Sequence, residues 1–261
     1  MSRQYVVDGA KPALRRYLPR SLRALGRRLL EIPRRRRIAA MARVERADYR
    51  GFFRRAFHML DGNGIGGDYV EFGCYSATTF CIAYHAYRQG LQDAGPCHLW
   101  AFDSFAGLPS TSLPEDEHPH WTEGVMAMSL EKFHRLCRKR GVPREAYTAV
   151  PGFYSQTLGP AAEGPRPDKI RLAYVDCDLY SSAKSVLEFL LPRLQHGMVL
   201  AFDDYFCYSS HGPSGERLAA LETFAGHPQW QLVPYLSIGW NGMSFIVEKR
   251  KVTDTDLTAC L

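Results

Sequence analysis

Residues 170–182 read IRLAYVDCDLYSS, and the way this run ends decides the fold. Six mostly apolar residues, Ile170 to Val175, suit a strand buried on both faces. A strand leaving a core usually ends in Gly, Asn or Pro. Here Asp176 and Asp178 follow at i, i+2 and point the same way if the strand persists. Like charges so placed repel, which is tolerable where the strand end is merely wet and useful where a cation sits between the carboxylates.

Outward from this stretch, short apolar runs alternate with helical patterns. Upstream lie DYVEFG from Asp68, a helical pattern over 76–88, HLWAFDS from His98, a second helical pattern over 129–140, and YTAVPG from Tyr147. Downstream come a helical pattern over 181–194, MVLAFDDY from Met198, another over 214–225, then QWQLVPYL and MSFIVEK. Such alternation predicts an α/β fold with a parallel sheet and helices on both faces. The last two runs have no helix between them and predict an antiparallel hairpin. Ligands of such sheets bind beyond the carboxyl ends of the strands. Glu71, Asp103, Asp176, Asp178, Asp203 and Asp204 all fall at that rim. One Asp there is an ordinary helix cap, but six acidic residues at one rim read as a site.

A chain of 261 residues with 46% hydrophobic and 12% aromatic content fits one α/β domain with an appendage, and no run reaches the ~18 apolar residues of a membrane-spanning helix. The net charge of +6 hides an asymmetry: residues 11–50 carry 14 Lys/Arg against three Asp/Glu, whereas residues 51–261 carry 18 against 23. A basic arm on a mildly acidic body argues against a nucleic-acid binder. The seven cysteines form no CxxC pair and read as reduced core residues. With no secretory signal in the first residues, a cytoplasmic protein is expected.

Residues 1–37 are Arg-rich and interrupted by Pro12, Pro19 and Pro33, with SLRALGRRLLE as a short amphipathic helix capped by Ser21. A longer helical stretch follows to Leu60. The expected division is a basic helical arm over 1–60, a main domain over 61–250 and a tail over 251–261. The arm is expected to pack on its own domain or on a partner subunit of a homo-oligomer, without forming a stable membrane anchor.

Four motifs, VEFGCYSATT from Val70, AFDSFAGLP from Ala101, VDCDLYSSAKSVLEFLLPRL from Val175 and GMVLAFDDY from Gly197, together resemble the macrocin O-methyltransferase family of metal-dependent sugar O-methyltransferases. The resemblance spans roughly residues 65–248. It implies a class I methyltransferase (Rossmann-like) fold, S-adenosyl-L-methionine as methyl donor, a divalent cation, usually magnesium, and a glycosylated small-molecule acceptor from antibiotic biosynthesis. Carried onto this chain, it places Glu71, Gly73 and Ser76 at the methionine part of the cofactor. Asp103 falls on the ribose hydroxyls, with Ser104 and Phe105 near the adenine. The metal ligands fall on Asp176, Asp203 and Asp204, and the general base on Asp178. The chain departs from the family at Ser76 and Ala77, where members commonly show glycine.

The chemistry of these residue types agrees. A carboxylate after the second strand suits a ribose diol, and three Asp offer hard oxygens to magnesium while leaving positions open. A further carboxylate can take the acceptor's proton. The polar stretch over 108–121 is long enough to act as a lid. His118 and His120, spaced HxH, lack partners at zinc spacing and read as loop residues. GFYSQTL from Gly152 sits at a strand end near the expected adenine site. Tyr208, His211 and Trp240 are candidates for the acceptor pocket. The alternatives are a catechol or phenol O-methyltransferase, or an inactive binding protein on the same fold. A nicotinamide-dependent dehydrogenase is disfavoured because GCYSAT lacks the GxGxxG spacing.

Overall fold

The computed structural model describes residues 20–110, 112–207, 209 and 211–250, with side chains from residue 36 onward. Helix α1 (Arg20–Gly62) runs through Pro33, where the sequence reading places a break. An interior proline costs a helix about 3 kcal/mol, yet the helix of 43 residues is continuous across it. Compact packing separates the chain between Arg46 and Ala47. The second unit therefore begins inside α1, ahead of the expected boundary at residue 60, because Phe52, Phe53, Phe57 and Leu60 are fully buried in it.

The elements of this second unit follow in the expected order. They are β1 (Asp68–Phe72), α2 (Thr78–Gln89), β2 (Leu99–Asp103), α3 (Leu130–Lys139), β3 (Tyr147–Pro151), the single turn α4 (Tyr154–Thr157), β4 (Ile170–Val175), α5 (Tyr180–Leu190), β5 (Val199–Phe202), α6 (Gly215–Phe224), and the hairpin β6 (Trp230–Ile238) and β7 (Gly242–Lys249). They form one seven-stranded sheet in the order β3-β2-β1-β4-β5-β7-β6. The first five strands are parallel, and β7 joins β5 antiparallel.

Alternation within the strands builds two cores. Tyr69, Leu172, Tyr174, Val199 and Ala201 face one layer with residues of α1, α2 and α3. Val70, Phe72, Ala173, Val175, Leu200 and Phe202 face the other with α5 and α6. Because the strand order reverses between β1 and β4, their carboxyl ends open a crevice. The hairpin follows from β-rich sequence with only Gly239–Asn241 between its strands.

Candidate active site

The crevice contains a cavity of about 360 Å³, lined among others by Gly73, Tyr75, Asp103, Ser104, Tyr154, Asp176, Asp178 and Ser181. Gly73 follows β1 at φ +87°, and a Cβ there would collide with the carbonyl oxygen of Asp176. Only glycine lets the β1 and β4 turns approach so closely. Asp103, at the end of β2, accepts the backbone N–H of Cys74 on one carboxylate oxygen and that of Phe105 on the other, each at 2.6 Å. These bonds fix its orientation, and each oxygen keeps a second lone pair for a ligand. Burial raises the Asp103 pKa and the two N–H donors oppose it. Ser104 turns its hydroxyl onto the Gly107 carbonyl at 2.8 Å, shaping the loop that forms the far wall.

Asp176, Asp203 and Asp204 each present an oxygen within 4.8 Å of the others. Strands β4 and β5 bring them together, because Val175 pairs with Phe202 and the ladder ends there. All three are half-buried. Burial raises the Asp176 pKa most, and Asp203, Asp204, Asp178 and Glu216 add to it. Asp203 accepts hydrogen bonds from the hydroxyls of Tyr174 and, at 3.5 Å, Tyr49. Asp178 is 7% exposed and holds a left-handed backbone at φ +62°, uncommon for a non-glycine residue and frequent at functional sites. Burial, the charge of Asp204 and a hydrogen bond shared with it all raise the Asp178 pKa, which makes it a stronger base than an exposed carboxylate.

The other expected cofactor residues lie off the cavity lining. Glu71 is fully buried and accepts the hydroxyls of Tyr69 and, at 2.8 Å, Thr79. Burial lifts its pKa to about 8 against the effect of those two bonds. Phe105 packs its ring against Phe133, with centroids 5.5 Å apart. Ser76 bonds Thr78 through its hydroxyl at 2.9 Å. Ser76 and Ala77 adopt φ +66° and +51°, so the backbone here has the left-handed shape that glycine adopts without strain.

A second cavity of about 450 Å³ is lined by Asp116, His118, Trp121, Ser209 and His211 among others. The 108–121 stretch is anchored by buried Asp116, whose carboxylate accepts the backbone N–H and the hydroxyl of Ser181 at 2.9 and 2.8 Å and so serves as the cap of α5. His118 stacks on Trp121 with centroids 4.0 Å apart. Burial and His120 lower its pKa while Asp204 opposes them. Among the described residues the only candidate metal cluster is the three aspartates, and the HxH pair is not part of one. Trp240 is 57% exposed in the hairpin turn, and Tyr208 lies outside the described residues.

Three residues escaped the sequence reading. Tyr174 shares the alternation of Asp176, a signal that was present. Tyr49 sits in α1, far from any motif. Glu216 stands in the first turn of α6, where an acidic residue reads as an ordinary complement to the helix dipole.

Residues 37–214 match the family model described as macrocin-O-methyltransferase (TylF). The chain belongs to the macrocin O-methyltransferase family. Within a stretch of 148 residues it is 30% identical to the 8-demethyl-8-(2,3-dimethoxy-alpha-L-rhamnosyl)-tetracenomycin-C 4'-O-methyltransferase of Streptomyces olivaceus, covering 55% of this chain and 54% of that one. It is 29% identical over 151 residues to the demethyldecarbamoylnovobiocin O-methyltransferase of Streptomyces niveus, covering 55% of each. The matched stretch thus spans about half the length of these two relatives. The solved structure of the O-methyltransferase NovP superposes with a TM-score of 0.62 at 24% identity, covering 78% of this chain and 80% of that one, a likeness of fold. The matched span contains Gly73, Asp103, Ser104, Asp176 and Asp178 of the cavity wall and the three clustered aspartates.

Proposed function

We propose that this chain is an S-adenosyl-L-methionine-dependent, divalent-metal-dependent O-methyltransferase acting on a sugar hydroxyl of a glycosylated small molecule. One observation carries the reading: Asp176 and Asp178 line the cavity that holds Gly73 and Asp103, and Asp176 clusters there with Asp203 and Asp204. The first relative is named as a 4'-O-methyltransferase of a rhamnosyl-bearing tetracenomycin, which supports a sugar acceptor from antibiotic biosynthesis.

The residues present fit both groups. Three carboxylates whose oxygens lie within 4.8 Å of one another form a hard-oxygen set suited to magnesium. Burial raises the Asp176 pKa most, the charges of Asp203 and Asp204 add to it, and a cation relieves that repulsion. The cavity volume is that of a small-molecule site. When bound, S-adenosyl-L-methionine supplies the methyl group and the cation supplies Lewis acidity toward a hydroxyl.

The chain's own residues do the rest. Asp103 accepts the ribose hydroxyls with the lone pairs its two N–H donors leave open. Gly73 and Ser104 leave room for the cofactor beside the β1 and β2 turns. Glu71, Ser76 and Phe105 act from behind: Glu71 ties β1 to α2, Ser76 sets the turn, and Phe105 seats the loop after β2. Asp178 takes the acceptor's hydroxyl proton as general base. The 108–121 stretch, with Trp121 and His118 beside the second cavity, closes over the acceptor and excludes water. Cytoplasmic residence and a homo-oligomeric state complete the proposal. The six described cysteines are free thiols, as in a reducing compartment, and no described helix is long and apolar enough to cross a membrane.

Titration calorimetry with S-adenosyl-L-methionine, and methyl transfer to glycosylated aromatic polyketides with and without EDTA, test the reading. Chelation is expected to abolish turnover and magnesium to restore it. Asp103→Ala is expected to weaken cofactor binding by about 1.5 to 3 kcal/mol. Turnover that survives exhaustive chelation removes the cation from the proposal. Transfer to simple catechols in preference to any glycoside replaces the sugar acceptor with a phenolic one.

A further inference from the structure

Past the last rungs of the β4 and β5 ladders, the chain must satisfy backbone donors that no strand reaches. The N–H of Asp176 still bonds the Phe72 carbonyl at 2.8 Å, and that of Asp203 the Val175 carbonyl at 2.9 Å. The next donors turn elsewhere. Cys177 and Asp178 both give their N–H to Oε1 of Glu216, at 2.9 and 3.2 Å, and Asp204 gives its N–H to Oε2 at 3.1 Å. Glu216 is 0% exposed and arrives from α6, on neither strand.

We infer that Glu216 is a positioning residue: its buried carboxylate clamps the β4 turn to the β5 turn and so sets Asp178 against Asp176, Asp203 and Asp204. An oxygen can bridge two neighbouring donors only if those peptides face the same way, an arrangement set by the backbone of Cys177 between them and held by the shared Oε1. The same carboxylate then fixes how far the β5 turn lies from the β4 turn. Filling a purely structural position with a carboxylate beside four aspartates is electrostatically unfavourable, whereas a clamp for two N–H-rich turns needs an acceptor with two oxygens. Its consequence for chemistry rests on the cation and general-base reading above; the clamp itself does not.

The test uses the full chain and Glu216→Gln, which keeps the shape and replaces one accepting oxygen by an N–H₂ donor. Hydrogen exchange followed by mass spectrometry is expected to show at least tenfold faster exchange in peptides carrying 177–178 or 204, with β1 and β2 peptides unchanged. Unchanged exchange in both turns, or a uniform rise across the sheet, overturns the proposal. Mn²⁺, titrated by its paramagnetic resonance signal, is expected to bind about 10- to 100-fold more weakly, in the range of losses from outer-shell partners, while S-adenosyl-L-methionine affinity stays within about twofold. Equal Mn²⁺ affinity in the two proteins overturns the link to the aspartates. A wild type that takes up no Mn²⁺ refutes the cation reading, and exchange in the two turns then decides the clamp. Should Glu216→Gln not fold, Glu216→Asp, one methylene shorter, is expected to loosen the same two turns to a smaller degree, and their unchanged exchange is equally fatal.

Discussion

The two ends of β4 handle buried charge in opposite ways. At its amino end Arg171, 0% exposed, meets Asp61 at 3.2 Å, and its other nitrogens donate to the carbonyls of Gly67, Ala94 and Gly95. Asp61 in turn accepts the N–H of Gln92. That centre is neutral, and it ties the end of α1 and the loop before β2 to the sheet. At its carboxyl end, only a few residues away, Asp176 and Asp178 stand among further carboxylates, and burial first, then those neighbouring charges, raise the pKa of both. One end is arranged for stability. The other carries electrostatic cost in the fold, which fits the cation and the proton transfer proposed above.

If that contrast is right, substitutions at the two ends fail differently. Asp178→Asn is expected to lower turnover by ~10²- to 10⁴-fold, the range for a lost general base, while cofactor affinity by calorimetry stays near wild type. A rate within a few-fold of wild type would remove Asp178 from the proton transfer. Arg171→Met is expected to cost about 3 to 5 kcal/mol in urea unfolding, because it leaves Asp61 buried without its partner. Adding Asp61→Asn should recover much of that loss.

Glu71 sharpens the comparison on the sheet's interior. Its folded pKa of about 8 lies above its unfolded value, so the folded state binds more protons in between and stability falls as pH rises through that window. Thermal unfolding of cation-free protein is therefore expected to shift to lower temperature between about pH 5 and pH 8, and Glu71→Gln should flatten the slope. A wild-type profile that rises with pH contradicts the assignment. The smallest effect belongs to Asp176→Asn, which without added cation should raise stability by roughly 0.5 to 2 kcal/mol through relief of repulsion, the reverse of Arg171→Met. Added Mg²⁺ should stabilise the wild type and leave this variant nearly unmoved.

The sequence by itself determined the order and type of the elements. Apolar runs separated by helical periods are local signals, and each strand from β1 to β7 stands where its run stands. It also determined the rim aspartates, since a carboxylate closing a buried strand is visible in one dimension. Tertiary structure alone decided what each carboxylate faces. Glu71 and Asp176 share one face of the sheet, yet Glu71 lies inside β1 and meets Tyr69 and Thr79 in the core, whereas Asp176 lies just past the end of β4 and lines the cavity. Asp61 and Arg171 are 110 residues apart, and Cys177 and Glu216 are 39 apart. Helix α1 likewise showed its apolar positions in the sequence, but not that Tyr49 reaches Asp203. Such pairings arise when elements dock. A buried polar group takes whichever partner packing brings within about 3 Å, and no local pattern of residues encodes that distance.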